Sequence, residues 1–250
     1  MAKIINFTDQ LTEHLMLQQI NFSQILFIDI ETVSINPDYE SLTDQWKKLW
    51  SKKAAHLKSD DQTGPEALYD RAGIYAEFGK VVCISAGYLN GAEFRIKSFY
   101  GEDEKILLEE FARMLNRHFS SPDNLLCAHN GKEFDFPFIA RRMLINAVDL
   151  PVMLQIAGKK PWEIKHLDTM ELWKFGDYKN YTSLELLTAV FGIPTPKDDI
   201  DGSMVGRIYW NEHDLERIRH YCQKDVLAVA QLLRCYMNQP LIREESVVII

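Results

Sequence analysis

The apolar residues follow two different spacings along the chain, and these spacings predict alternating strands and helices. The run at 24–31 (QILFIDIE) is apolar on both faces apart from its acidic end, as expected for a central strand that is covered on both sides. The runs at 80–89 and 92–99, joined through Asn90-Gly91, are typical of a β-hairpin with a tight primed turn. Two shorter strands complete the predicted sheet, at 124–129 and 164–168.

Helical spacing separates these strands. Apolar positions three and four residues apart predict helices at 8–20, 42–57, 102–119 and 134–147. The capping box Thr182-x-x-Glu185 predicts a further helix that ends at Gly192 and Pro194. Asn211 is expected to cap the final long helix, whose apolar stripe consists of Leu215, Ile218, Cys222, Val226, Val229, Leu233 and Tyr236.

This order of elements predicts one α/β domain over residues 1–250, with a central sheet flanked by helices. Residues 33–79 are expected to form an inserted helical segment after the first strand, and residues 239–250 a C-terminal tail. A chain of 250 residues is long enough to bury a large core. Hydrophobic residues make up 46% and charged residues 26% of the chain, which excludes disordered, collagen-like and coiled-coil proteins.

Charge and cysteine content further restrict the classes of protein to which the chain could belong. Charged residues interrupt every apolar run that could serve as a membrane span or signal peptide, which predicts a cytoplasmic protein without a membrane partner. Four cysteines without C-x-x-C spacing predict reduced thiols rather than disulfides or a zinc site. The net charge of −8 argues against wrapping of long duplex DNA. It does not exclude an enzyme that acts on nucleic acid, because cations bound to clustered carboxylates would reverse the local field.

Two polar clusters lie at the ends of predicted strands. Asp29 and Glu31 are two residues apart on the first strand, so both project from one face and could hold a hard cation. Asn130 and Asp135 follow a later strand, at the kind of strand-to-helix turn where open α/β sheets commonly bind ligands. Each pair also has an ordinary explanation, namely solvated acids at a strand end and an acid that favours a helix N-terminus.

A third cluster lies on the last predicted helix. Tyr221 and Asp225 are four residues apart and share one helix face, although a flanking tyrosine and a solvated acid would fit the same spacing. In this order and on these elements, the three clusters resemble the Exo I, Exo II and Exo III motifs of the DEDD exonucleases. The subgroup they resemble bears a tyrosine and includes the proofreading domains of family B DNA polymerases. The stretches 168–173 (DTMELW) and 201–205 (DGSMV) are similar to its stand-alone bacterial branch.

The resemblance implies a ribonuclease H-like fold with a central mixed sheet. It also implies a two-metal hydrolase that releases nucleoside 5′-monophosphates from the 3′ end of single-stranded DNA. By similarity, Asp29 would bridge both ions, while Glu31 and Asp225 would hold the ion that activates water. Asp135 would help to hold the other ion, and Tyr221 would orient the attacking water. Four carboxylates without a histidine or cysteine ligand favour Mg²⁺ or Mn²⁺ over Zn²⁺.

The resemblance extends to residues that contact the substrate. Asn130 and Phe134 are expected to line the cleft near the 3′-terminal nucleotides, and Thr32 follows the acidic pair closely enough to touch the terminal sugar. Asp168 is a further acid near the end of a predicted strand. For this residue a structural hydrogen bond is expected rather than metal ligation.

Two further segments have open interpretations. Residues 46–58 contain five lysines, no acid, and Trp46 and Trp50 at helical spacing. This segment could bind single-stranded phosphates and bases, or it could be a surface helix that docks through its tryptophans. The tail at 246–250 ends in four β-branched apolar residues. We expect it to dock on its own domain, and the alternative is that it adds a strand to a partner chain.

Two other functions compete with the leading hypothesis. An exoribonuclease of the same superfamily would use the same residues, because discrimination rests on contacts to a 2′-hydroxyl that the sequence does not locate. A catalytically silent nucleic-acid-binding module would retain only the fold. Such a module has no need for Asp29, Glu31, Asp135 and Asp225 together with Tyr221.

Overall fold

The computed structural model describes residues 20–57, 64–177, 181–194 and 200–250. Its strands are Ile25–Ser34 (β1), Gly79–Asn90 (β2), Glu93–Tyr100 (β3), Leu125–Ala128 (β4), Leu167–Asp168 (β5) and Val247–Ile249 (β6). The main helices are Asp44–Ala54 (α1), Glu104–His118 (α2), Asp135–Ile145 (α3), Thr169–Lys174 (α4), Leu184–Val190 (α5) and Leu215–Tyr236 (α6). The helix predicted at 8–20 lies outside the described residues.

The strands form one mixed sheet in the order β5-β4-β1-β2-β3-β6. β1, β2 and β3 are antiparallel neighbours, whereas β4 runs parallel to β1 and β5 runs parallel to β4. β1 is therefore an interior strand with a neighbour on either side. Its apolar run explains this position, because an interior strand is buried on both faces.

Alternation along β1 divides the core into two layers. Leu26, Ile28 and Ile30 point to one face of the sheet and belong to a cluster with α2 and α3. Ile25 and Phe27 point to the other face and belong to a cluster with α6. Every second side chain of a strand points to the same face, so positions 29 and 31, which continue the series of Ile25 and Phe27, are also directed toward α6. Those residues are the acids Asp29 and Glu31.

A bulge interrupts the pairing of β1 with β2 next to these acids. Glu31 pairs with Cys83, but Thr32 pairs with Val81, so Val82 is an extra residue on β2. Bulges bend a strand and redirect its side chains, and they are common beside active sites.

A buried ion pair holds this irregular region from the α2 and α3 side. The Val81 N–H donates to the Glu104 carboxylate of α2 at 2.7 Å. Arg142 of α3 donates to the same carboxylate at 2.8 Å and to the carbonyl of Ala76 at 2.9 Å. Asn146 donates a further hydrogen bond to Glu104 at 2.9 Å. This network connects two helices, the end of the segment 33–79 and the start of β2.

The segment 33–79 has a small apolar cluster of its own, which includes the tryptophans of the predicted basic helix. Trp50 of α1 is fully buried and donates its Nε1 hydrogen to the Pro65 carbonyl at 2.7 Å. Trp46 packs edge-on against Phe78, with ring centroids 5.6 Å apart. The tryptophans therefore dock the helix on its neighbours, as the second interpretation of this segment expected. Trp50 is not exposed to stack on a base.

Two predicted local features lie one residue away from where they were expected. In the hairpin, Asn90 still pairs with Glu93, so Gly91 and Ala92 form the turn, with φ of 63° at Gly91. Ser183, not Thr182, caps α5, and its hydroxyl accepts from the Leu186 N–H. The hairpin shift reflects one more strand pair than expected, whereas Thr182 and Ser183 are both suitable capping residues and the structure uses Ser183.

The start of the last helix was also predicted wrongly. Asn211 lies in a separate turn of π-helix, Ile208–Glu212, and His213 follows with φ of 55°. Asp214 caps α6 instead, because its carboxylate accepts from the Arg217 N–H. The apolar stripe is confirmed, since its central members are buried, namely Ile218, Cys222, Val226, Val229 and Leu233.

The tail docks on its own sheet, as expected. β6 pairs in parallel with β3 through Phe94 with Val247 and Ile96 with Ile249, and the Ile250 N–H donates to the Ile96 carbonyl. The described cysteines are free thiols, and Cys83, Cys127 and Cys222 are buried. Among the helices that the structure describes, none has the length and apolarity that a membrane span requires.

Candidate active site

Two carboxylates lie in the middle of the sheet. Asp29 pairs with Ser85 of β2, and Glu31, which is 7% exposed, is the last residue before the bulge. A carboxylate oxygen of each lies within 4.8 Å of the other. Burial of two neighbouring acids is costly, so the strand that positions them requires a compensating partner.

A third carboxylate comes from the start of α3. Asp135 is the first residue of this helix and is 4% exposed. β4 lies beside β1 in the sheet, so the turn after β4 leads α3 back toward the middle of β1. The Ile30 N–H interacts with the Asp135 carboxylate, which places this acid next to the strand that bears the first two.

A fourth carboxylate and a phenol come from α6. Tyr221 and Asp225 lie one turn apart, and a hydrogen bond links the two side chains. The charge of Asp225 acts on Asp29, Glu31 and Asp135. The structure therefore brings together the five predicted residues from β1, α3 and α6.

Burial dominates the electrostatics of this cluster. It raises the pKa of Asp29 well above its ordinary range, and the charges of Asp225 and Asp135 raise it further. Burial and then the charge of Asp29 raise the pKa of Glu31. Burial also raises the pKa of Asp135 to about 8, although backbone N–H groups oppose the rise. The pKa of Tyr221 rises for the same reason, so the phenol stays protonated at neutral pH.

The donor set fits divalent cations. Asp29 Oδ2 is buried and has no hydrogen-bond partner among the described residues. Within the described ranges, no lysine or arginine forms an ion pair with Asp29, Glu31 or Asp135. When they are ionised, clustered carboxylates without a cationic partner repel one another. A hard cation would neutralise this charge. The oxygen ligands could come from Asp29, Glu31, Asp135 and Asp225.

Asp168 has the structural role that was expected of it. Its carboxylate accepts hydrogen bonds from four backbone N–H groups at 2.9–3.2 Å, those of Asn130, Lys132, Met170 and Glu171. Two of these groups belong to the turn after β4, and two belong to the first turn of α4. Asp168 therefore fixes the turn that leads into Asp135.

The three residues predicted to contact the substrate lie near the acids along the chain, and all three are partly buried. Asn130 has φ of 63°, which asparagine tolerates, and its side-chain Oδ1 is buried without a described hydrogen-bond partner. Phe134 is half-buried and packs against Phe138, with ring centroids 5.4 Å apart. Thr32 follows Glu31 at the bulge and is half-buried. The structure contains no substrate, so the contacts of these three residues with it stay predictions.

Sequence reasoning missed two residues near the acids. The Sγ atom of Cys222 lies within 4.8 Å of carboxylate oxygens of Asp29 and Glu31. Its position three residues before Asp225 was a usable signal, but its place in the apolar stripe favoured a purely structural interpretation. Tyr181, which is 68% exposed, lies close enough to Asp135 for that charge to raise its pKa further, after burial. No motif in the sequence indicated Tyr181.

A known family matches this arrangement. Residues 74–245, more than half of the chain, match the model of a family described as a predicted 3′-5′ exonuclease related to the exonuclease domain of PolB. The chain belongs to this family. The match includes Asp135, Tyr221 and Asp225, and it begins after Asp29 and Glu31.

Solved structures with a similar chain course are known, at low sequence identity. The family B DNA polymerase from the hyperthermophilic archaeon Pyrobaculum calidifontis is 16% identical, with a TM-score of 0.45 over 84% of this chain and 24% of the polymerase. The RNase domain of the yeast Pop2 protein is 12% identical, with a TM-score of 0.43 over 92% of this chain and 83% of that domain. Product-bound exonuclease I is 14% identical, with a TM-score of 0.39 over 81% of this chain and 45% of that protein. This chain thus spans about a quarter of the polymerase.

Family membership and topology confirm two expectations. The chain is an exonuclease-family protein of the DEDD type, as the motifs indicated. The six described strands form a mixed sheet with helices on its faces, which is the ribonuclease H-like fold that the resemblance implied.

Proposed function

We propose that this protein is a metal-dependent 3′-5′ exonuclease that hydrolyses single-stranded DNA and releases nucleoside 5′-monophosphates. The observation behind this proposal is the convergence of four carboxylates from β1, α3 and α6, three of which have pKa values raised by burial. We assign Mg²⁺ or Mn²⁺, two ions per site, because the four acids offer oxygen ligands. When bound, two such ions stabilise the attacking and leaving oxygens of an in-line displacement.

Position supports a division of roles among the acids. The charges of Asp225 and Asp135 both act on Asp29, and after burial these two charges raise its pKa most. For this reason Asp29 would serve as a ligand of both ions. Glu31 and Asp225 would hold the ion that activates the water, and Asp135 would help to hold the other.

Tyr221 orients the water in this proposal, which places the protein in the tyrosine-bearing subgroup. Its phenol is protonated at neutral pH and its hydroxyl is bonded to Asp225, so it can position a water molecule but cannot act as a strong base. Deprotonation of the water would therefore be the chemistry that a bound ion supplies.

Substrate contacts are proposed for residues around the acids. The buried Oδ1 of Asn130 has no described partner and is available to a nucleotide donor group. Phe134 offers a half-buried ring, and Thr32 lies one residue from Glu31. The proposal treats the chain as one exonuclease unit, because the segment 33–79 packs on β1 rather than standing apart.

Removal of the central acid tests the proposal. Asp29→Asn is expected to lower the hydrolysis of a single-stranded oligonucleotide in Mg²⁺ or Mn²⁺ by about three orders of magnitude or more, as for other groups that act as a unit. The matched control is Glu133→Gln, which removes an exposed acid two residues before Asp135. Equal activity of Asp29→Asn and wild type would contradict the assignment. Matched DNA and RNA oligonucleotides in the same assay distinguish a deoxyribonuclease from an exoribonuclease.

A further inference from the structure

A sulfur atom lies inside the carboxylate cluster. Cys222 is fully buried on α6, and its Sγ–H donates to the main-chain oxygen of Asp29 at 3.3 Å. Single ligand atoms from Asp29, Glu31 and Cys222 all lie within 4.8 Å of one another. Three donors at these separations can surround one ion, because the centre of such a triangle lies less than about 3 Å from each corner, close to metal–sulfur and metal–oxygen bond lengths.

Two observations show that the carboxylates of this triangle have no cationic partner among the described residues. Asp29 Oδ2 is buried and has no hydrogen-bond partner in the described chain. Glu31 is 7% exposed and faces the charges of Asp29 and Asp225 without a described ion pair. A cation that enters the triangle would satisfy both carboxylates at once.

The identity of the third donor decides which cation is favoured. Mg²⁺ prefers six oxygen ligands and gains little from a sulfur atom. Thiolate ligands instead favour Zn²⁺ and softer ions of the same charge, and a site with one sulfur and two oxygens leaves a position open for water. The thiol proton passes to the buffer when the metal–sulfur bond forms.

We propose that Asp29, Glu31 and Cys222 form a site for a thiophilic divalent cation of the Zn²⁺ and Cd²⁺ class, and that this cation displaces the hard ions from the same acids. Binding of the thiophilic ion follows from the geometry of the triangle. Its consequence, inhibition of hydrolysis, rests on the function proposed above. Cys222 is thus a ligand that adds metal selectivity to the four carboxylates.

Cd²⁺ titration of the full-length, metal-free protein tests the binding directly. A sulfur-to-cadmium charge-transfer band in the ultraviolet is expected to grow until one equivalent is bound. Cys222→Ser is expected to lose this band and to weaken Cd²⁺ binding about tenfold or more. Cys235→Ser is the matched control. Cys235 lies near the C-terminal end of α6, more than three turns beyond Cys222, so its substitution should leave band and affinity unchanged.

The outcomes separate this inference from the proposed function. A band that persists in Cys222→Ser, or no band in the wild type, would overturn the site. Cys222→Ala, checked by circular dichroism, repeats the test if the serine variant does not fold. If the band depends on Cys222 but no hydrolysis is found with any metal, the site stands and the proposed function fails. If hydrolysis occurs and Cd²⁺ inhibits the wild type about tenfold more strongly than Cys222→Ser, both the cation site and the proposed function are supported.

Discussion

Asp135 links the chemistry of the site to the stability of the molecule. Burial raises the pKa of this carboxyl from its ordinary value of 3.8 to about 8, so the folded protein binds the proton more tightly than the unfolded chain. The resulting stabilisation is complete below about pH 4 and is lost as the pH rises through about 8. In the absence of metal, the site therefore destabilises the fold increasingly toward neutral and alkaline pH.

Asp135→Asn is expected to remove this cost. In EDTA, the melting temperature of the variant should rise relative to that of the wild type between pH 5 and pH 8, since an amide does not ionise. Glu133→Gln, an exposed neighbour, should show no such trend. A difference between Asp135→Asn and wild type that is constant over this pH range would contradict the raised pKa.

At the scale of single residues, the sequence located the acids but not their full surroundings. Asp29, Glu31, Asp135 and Asp225 were found because the motifs fix their order along the chain. Cys222 and Tyr181 were missed because their proximity to the acids depends on which helices and strands pack together in the folded protein. A cysteine in an apolar stripe looks the same whether it faces a core or a carboxylate.

Among the elements, α2 and α3 are joined to the start of β2 by the buried Glu104–Arg142 pair. Both residues are 7% exposed. Glu104 also accepts a hydrogen bond from the Val81 N–H, and Arg142 donates one to the Ala76 carbonyl. Glu104→Ala leaves the Arg142 charge buried without its partner. We expect a loss of about 3–5 kcal/mol in the free energy of unfolding, measured by urea denaturation.

An exposed ion pair on α2, the helix that contains Glu104, provides a matched control for this prediction. Glu109 pairs with Lys105 at 3.9 Å, and both side chains are about half exposed. Glu109→Ala should change the free energy of unfolding by no more than about 0.5 kcal/mol. Equal effects of the two substitutions would show that the buried pair does not hold the helices to the sheet.

Strands and long helices were predictable because each has a periodic apolar pattern, and β1, the hairpin strands and α6 all follow from it. The residues at which helices begin were harder to predict. Thr182 and Ser183 are both good capping residues, as are Asn211 and Asp214, and the sequence does not distinguish within either pair. The bulge at Val82 could not be predicted either, because it depends on how β1 and β2 are paired across the sheet.

For the whole molecule, the position of β6 separates the tail from the chemistry. β2 and β3 lie between β6 and the acids of β1. Deletion of residues 247–250 removes a short edge strand with half-exposed side chains. We expect it to lower the free energy of unfolding by about 1–3 kcal/mol and to leave hydrolysis of an oligonucleotide at saturating metal unchanged.

Ile250→Ser is the control for this deletion, because the Ile250 side chain is 55% exposed while its N–H pairs with Ile96. It should change stability little. Loss of hydrolysis in a deletion variant that remains folded would show that the tail contacts the nucleic acid or a partner. The parallel pairing of β6 with β3 could not be predicted, since nothing local in either segment fixes a long-range register.

Directional hydrolysis from a free 3′ end is the central claim, and one digestion experiment tests it most directly. A single-stranded DNA oligonucleotide with a 5′ label is digested in Mg²⁺ or Mn²⁺, either with a free 3′ hydroxyl or with a 3′ phosphate, beside a circular strand of the same sequence. We predict a ladder of labelled products that shorten stepwise from the free 3′ end, release of nucleoside 5′-monophosphates, much slower digestion of the blocked strand, and an intact circle. Cleavage of the circle as fast as the linear strand, or labelled mononucleotide as the first product, would contradict a 3′-5′ exonuclease.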